Sequence, residues 1–138
     1  MSDNPFVGKW TYRSLLNDPD VSTAFNDLEF GRGTIEITEG PLEQLLGVIG
    51  GPGWSLALKG SRAYGSPMQA RFQGVGVVSG EKWIYDYQGY LVPPWPNGVD
   101  QRPAIVGSVI RTIPHSGSAP GTVNPAGVVA SFYAVRVD

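Results

Sequence analysis

Residues 82–92 read KWIYDYQGYLV. Trp83, Tyr85 and Tyr87 alternate with Lys82, Ile84 and Asp86, the two-residue period of a β-strand whose side chains point to opposite faces. Such an aromatic face belongs against a core or a cavity, and Asp86 then points outward as a surface carboxylate. The same period recurs on both sides of this stretch. Upstream it runs through 9–15 (KWTYRSL), 30–38 (FGRGTIEIT), 54–64 (WSLALKGSRAY) and 70–78 (ARFQGVGVV). Downstream it runs through 104–113 (AIVGSVIRTI) and 127–137 (GVVASFYAVRV). Trp10, Tyr12 and Ser14 share a face, as do Trp54, Leu56 and Leu58. Residues 42–49 (LEQLLGVI) place their apolar side chains at helical spacing. The segment is short, contains Gly47 and runs into Gly50-Gly51-Pro52-Gly53, so it reads as a strand. The clearest helix is 18–28 (DPDVSTAFNDL), with Asp18 as N-cap, Pro19 at the first helical position, and Val21, Ala24, Phe25 and Leu28 on one face.

Eight strands and one short helix, with no strand–helix–strand rhythm, predict an all-β chain. The arithmetic fits an eight-stranded antiparallel barrel, filled with side chains or holding one small ligand. A β-sandwich is the alternative. Gly74, Gly76, Gly89 and Gly107 fall inside strands, where glycine weakens pairing unless the sheet bends sharply. The 138 residues form one expected domain, 1–138. Hydrophobic residues make 41% of the chain and charged ones 16%, which argues against disorder. Cysteine is absent and histidine occurs once. That excludes disulfides, a cysteine nucleophile and a multi-histidine metal site within one chain, so neither metal nor cofactor is expected. A net charge of −2 carries no footprint for nucleic acid. Residues 1–5 lack the basic and apolar pattern of a secretory signal, and no apolar run is long enough to span a membrane. The cytoplasm is the expected location.

Three features resemble the lipocalin and wider calycin pattern. Gly8-Lys9-Trp10 opens the first strand as G-x-W. Residues 85–90 (YDYQGY) are similar to the T-D-Y-x-x-Y segment near the sixth strand, with Tyr85 in place of threonine. Arg136 lies on the last strand, where such proteins carry an arginine that stacks on the first-strand tryptophan. The resemblance implies a barrel closed where Trp10 and Arg136 meet and open at the other end. The helix that follows the last strand in that pattern has no counterpart before Asp138. The allene oxide cyclases, another small-barrel family, have similar length and gross architecture, but none of their motifs stand in this chain. Fold does not fix function.

The candidate ligand-binding residues are Tyr12, Arg13, Trp83, Tyr85, Tyr87, Tyr90, Trp95, Arg111 and His115. A tyrosine in a cavity wall offers an apolar face and an orienting hydroxyl; the same rings would equally fill a small barrel. Residues 92–103 (VPPWPNGVDQRP) form a stiff loop that holds Trp95 between two prolines, and we expect it beside the barrel mouth. His115 reads either as a general base or as an exposed loop histidine. Three functions follow: a barrel that binds a small apolar or aromatic molecule, a cofactor-independent cyclase or isomerase, and a filled-core structural or interaction protein. A homo-oligomer is left open.

Overall fold

The structure, a computed structural model, describes residues 4–138. Seven strands follow one another around a barrel: β1 (Gly8–Leu16), β2 (Glu29–Glu39), β3 (Gln44–Gly51), β4 (Trp54–Ala63), β5 (Gln69–Val78), β6 (Glu81–Leu91) and β7 (Ala104–Arg111). A short hairpin, β8 (His115–Ser116) with β9 (Val123–Asn124), precedes the last barrel strand, β10 (Val129–Val135). Each strand pairs antiparallel with its neighbour, and β10 closes the ring between β7 and β1. Closure rather than stacking of two sheets settles the choice against a sandwich, and the eight strands of the barrel are each paired on both sides. The architecture is compatible with a calycin-like barrel.

The helix expected over 18–28 is only one turn, α1 (Phe25–Leu28). Asp18 and Asp20 accept hydrogen bonds from the amides of Asp20 and Ser22, at 2.9 and 3.0 Å. Such local turns compete with helix. Val21 and Phe25 are exposed, so the expected apolar face never reaches the core. The strand expected over 42–49 forms from Gln44 onward, while Pro41–Glu43 makes a single 3-10 turn.

Antiparallel order puts the ends of β1, β3, β5 and β7 and the starts of β2, β4, β6 and β10 at one end of the barrel, the mouth. The opposite end is the base. At the base Phe6 and Trp10 are fully buried, and the indole N–H of Trp10 donates to the Phe6 carbonyl at 3.0 Å. The Arg136 guanidinium lies 5.2 Å from the Trp10 ring centroid. It donates to the carbonyls of Pro5, at 3.2 Å, and Val7. Gly8 has φ of 145°, and a Cβ there would run into that guanidinium. Above the base, Tyr12, Phe72, Tyr87 and Phe132 form an aromatic belt across the interior. Phe72 stacks on Tyr87 at 5.2 Å, and Tyr12 meets Tyr87 edge-on at 6.1 Å and Phe132 at 5.8 Å.

Gly89 and Gly107 face each other across β6 and β7. A Cβ on Gly107 would land on the Gln88 carbonyl oxygen. The strands approach this closely because the sheet curls tightly, which is what interior glycines permit.

Candidate functional site

A cavity of about 200 Å³ opens at the mouth above the aromatic belt. The inward face of β6 supplies Trp83, Tyr85 and Tyr87, and Trp54 starts β4, two strands further round the ring. Phe30 reaches the cavity through an irregularity. Ser14 pairs with Gly31 and Leu15 with Glu29, so Phe30 is the extra residue of a β-bulge between β1 and β2. Bulges re-aim side chains, and Phe30 lies edge-on to Tyr85 at 6.0 Å. Wider, shallower grooves run along the outer wall, over Lys59, Arg71 and Asp86 and over Thr34, Glu36 and Thr38.

The polar side of the cavity is built where β7 ends and the hairpin begins. Arg111 Nε donates to the Tyr85 hydroxyl at 2.9 Å, and Arg111 Nη1 donates to the Pro125 carbonyl at 3.2 Å. The guanidinium also lies 4.8 Å from the centroid of the Phe30 ring. His115 Nε2 is 2.6 Å from the Tyr85 hydroxyl, and Nδ1 is 2.9 Å from the Ser116 carbonyl. A carbonyl only accepts, so Nδ1 carries the hydrogen. Nε2 of the neutral ring therefore accepts from the Tyr85 O–H. The imidazole stacks on Trp83 at 4.0 Å with 14° between the planes. Arg111 is 8% exposed and His115 5%. The exposed-loop reading of His115 is thereby corrected: β8 folds over the mouth, where the Ser116 amide donates to Glu81 at 3.2 Å.

Burial pushes the Tyr85 phenol above its ordinary value, although Arg111 pulls the other way. Tyr87 is raised further, first by burial and then by the neighbouring Tyr12 and Tyr85. Tyr12 is also raised by burial, against the hydrogen bond of 2.9 Å that it donates to Ser14. All three phenols therefore stay protonated well into alkaline conditions. The Tyr87 hydroxyl has no hydrogen-bond partner among the described residues.

Several expected site residues lie elsewhere. Arg13 is out of phase with Tyr12 and sits on the outer wall, hydrogen-bonded to Asn26 at 2.8 Å and 3.3 Å from Glu29. Tyr90 is out of phase with Tyr85 and Tyr87 and is 42% exposed outside the barrel. Trp95 does not flank the mouth. Its loop follows the end of β6, so it belongs to the base, where Arg102 donates to the Arg136 carbonyl at 2.8 Å. Trp95 itself is 71% exposed. Asp86 faces outward, where it accepts from Gln73 at 2.8 Å and Thr112 at 3.2 Å. Phe30, Gly31 and Asn124 line the cavity without having been expected there. A bulge and a two-residue strand leave no periodic signal; Trp54 did, through its phase with Leu56 and Leu58. Among the described residues no group of three acidic or histidine side chains gathers that could hold a metal ion. Among the described residues no helix is long and apolar enough to cross a membrane. The chain matches no protein-family model, no curated protein and no solved structure.

Proposed function

We propose that the barrel binds a small, flat, aromatic or apolar molecule of about one ring in the mouth cavity. The observation that carries this reading is the cavity itself: about 200 Å³, walled by Trp54, Trp83, Tyr85 and Tyr87 over a packed aromatic floor. An apolar cavity of about 150 Å³ accepts benzene, whereas drug-sized ligands occupy roughly 300 Å³ or more. The size thus favours a single ring with a small substituent. The guanidinium of Arg136 over Trp10 supports a lipocalin-like reading of the barrel. The absence of cysteine suits a reducing compartment such as the cytoplasm.

Gly31 offers the test. An added Cβ there meets Ser14 Oγ at 3.4 Å and Tyr12 Cε2 at 3.6 Å, which are ordinary contacts. Gly31→Leu should therefore fold and fill the cavity. Titration with one-ring aromatics, read by tryptophan fluorescence, is expected to give saturable quenching that Gly31→Leu abolishes. Quenching that survives the substitution, or none at all in the parent chain, would reject the reading.

A second reading, a cofactor-independent isomerase or cyclase, is favoured by the Tyr85 hydroxyl held between Arg111 and His115. A phenol that donates to an imidazole, beside a fixed cation, can pass a proton to or from a ligand in the same cavity. The filled-core interaction protein is disfavoured by the cavity.

A further inference from the structure

We infer that the molecule taken up at the mouth is a monoanion, an aromatic or similarly flat carboxylate whose charge meets Arg111. This rests on the binding reading above and names its chemical class. Arg111 is 8% exposed, and no carboxylate pairs with it among the described residues. A buried charge without a counter-charge is costly, and proteins seldom keep one unless something compensates it. Its protein partners are neutral: the Tyr85 hydroxyl, the Pro125 carbonyl, and the faces of Phe30 and Tyr85. Nη2 and the second hydrogen of Nη1 make no hydrogen bond among the described residues. The guanidinium lines the cavity, so these donors are available to a ligand there.

A planar fork of N–H groups matches a carboxylate in geometry as well as in charge. The rest of the wall sets the remaining terms. Trp54, Trp83 and Phe30 offer ring faces and edges for an apolar body. The Tyr87 hydroxyl adds a neutral donor, since burial keeps it protonated. His115 spends both ring nitrogens on Tyr85 and Ser116, so neither is free to meet a ligand. Among the described residues Arg111 is the one lysine or arginine that lines the cavity, and a single such charge selects a single negative charge; a dianion such as phosphate would leave one charge unpaired.

Benzoate and benzamide share a shape and differ in charge, so the pair isolates the role of Arg111. Titrations at neutral pH, by calorimetry or tryptophan fluorescence, are expected to find benzoate about ten- to a hundredfold tighter. Arg111→Gln should erase that preference. Should the variant fail to fold, the benzoate-to-benzamide ratio in the parent chain decides alone. Equal affinity for the two would overturn the inference and leave the aromatic-binding reading standing. Acetate binding as tightly as benzoate would also overturn it, because the aromatic wall would then play no part. If neither ring compound binds at millimolar concentration, the binding reading falls and this inference with it.

Discussion

The Tyr85 hydroxyl serves two buried groups at once, accepting from Arg111 and donating to His115. Tyr85→Phe keeps the ring but leaves the Arg111 Nε and the His115 Nε2 without their partner. Unsatisfied buried groups cost about 1–3 kcal/mol each, so denaturant unfolding should register a loss of at least that order. A variant as stable as the parent would mean that solvent replaces the hydroxyl easily. The phenols also set an alkaline limit. Each of Tyr12, Tyr85 and Tyr87 has its folded-state value raised above the ordinary 10.0 by burial. The neutral form is thus favoured by folding, and the stability this contributes is fully present below pH 10. As pH rises beyond that, the unfolded chain loses phenol protons before the folded one does. Each fully buried phenol then removes about 1.4 kcal/mol per pH unit, and the partly accessible Tyr85 removes less. Melting temperature measured across this range should fall from about pH 10 upward. Phase alone made part of this site legible: Trp83, Tyr85 and Tyr87 face inward as their spacing says, and the same arithmetic applied to Tyr90 and Arg13 would have placed both outside. His115 was not legible, because the rings that bury it, Trp83 and Tyr85, stand on β6, distant in sequence.

At the scale of elements, two irregularities matter more than the regular strands. The bulge at Phe30 turns a residue of the wrong phase into the cavity. The glycine pair Gly89 and Gly107 lets β6 and β7 curl together. Gly107→Ala should destabilise the barrel by about 1–3 kcal/mol, the usual cost of forcing atoms into a packed space, because the obstacle is the Gln88 backbone rather than a flexible side chain. Chemical denaturation would check this, and an unchanged midpoint would show that the strands can part without loss. The loop between β6 and β7 behaves otherwise. Trp95 is exposed and belongs to the base, so Trp95→Ala should leave aromatic binding unchanged and stability within about 0.5 kcal/mol. Weakened binding would return that loop to the mouth. Its expected position failed for a directional reason: Trp83 and Tyr85 open β6, whereas the loop follows the strand's end. The lost helix has a different cause. Its periodicity was present, but Asp18 and Asp20 turned their side chains back onto nearby amides, and no core lay within reach of Val21 and Phe25.

For the molecule as a whole, the Trp10–Arg136 contact and the candidate cavity sit at opposite ends. Arg136→Ala removes the cation over Trp10 and the hydrogen bonds to Pro5 and Val7, at a cost of about 2 kcal/mol. The melting temperature should drop while one-ring ligands bind as before; a parallel loss of binding would show that the two ends are coupled through the aromatic belt. The barrel was legible because every wall strand except β3, whose apolar residues fall at helical spacing, carries its own two-residue period, and each joins its neighbour in order. The cavity volume was not, since whether rings meet or leave a gap depends on distances across the interior. The pairing of β1 with β10 has a consequence in time. On the ribosome the earlier strands can pair in order as they emerge, yet the first must wait with one side unpaired until the last has been made. Through that interval β1 and the growing strand both offer backbone groups to any passing chain. The seal formed by Arg136 comes later still, so synthesis slowed near the codons for β10 would prolong the period of greatest aggregation risk.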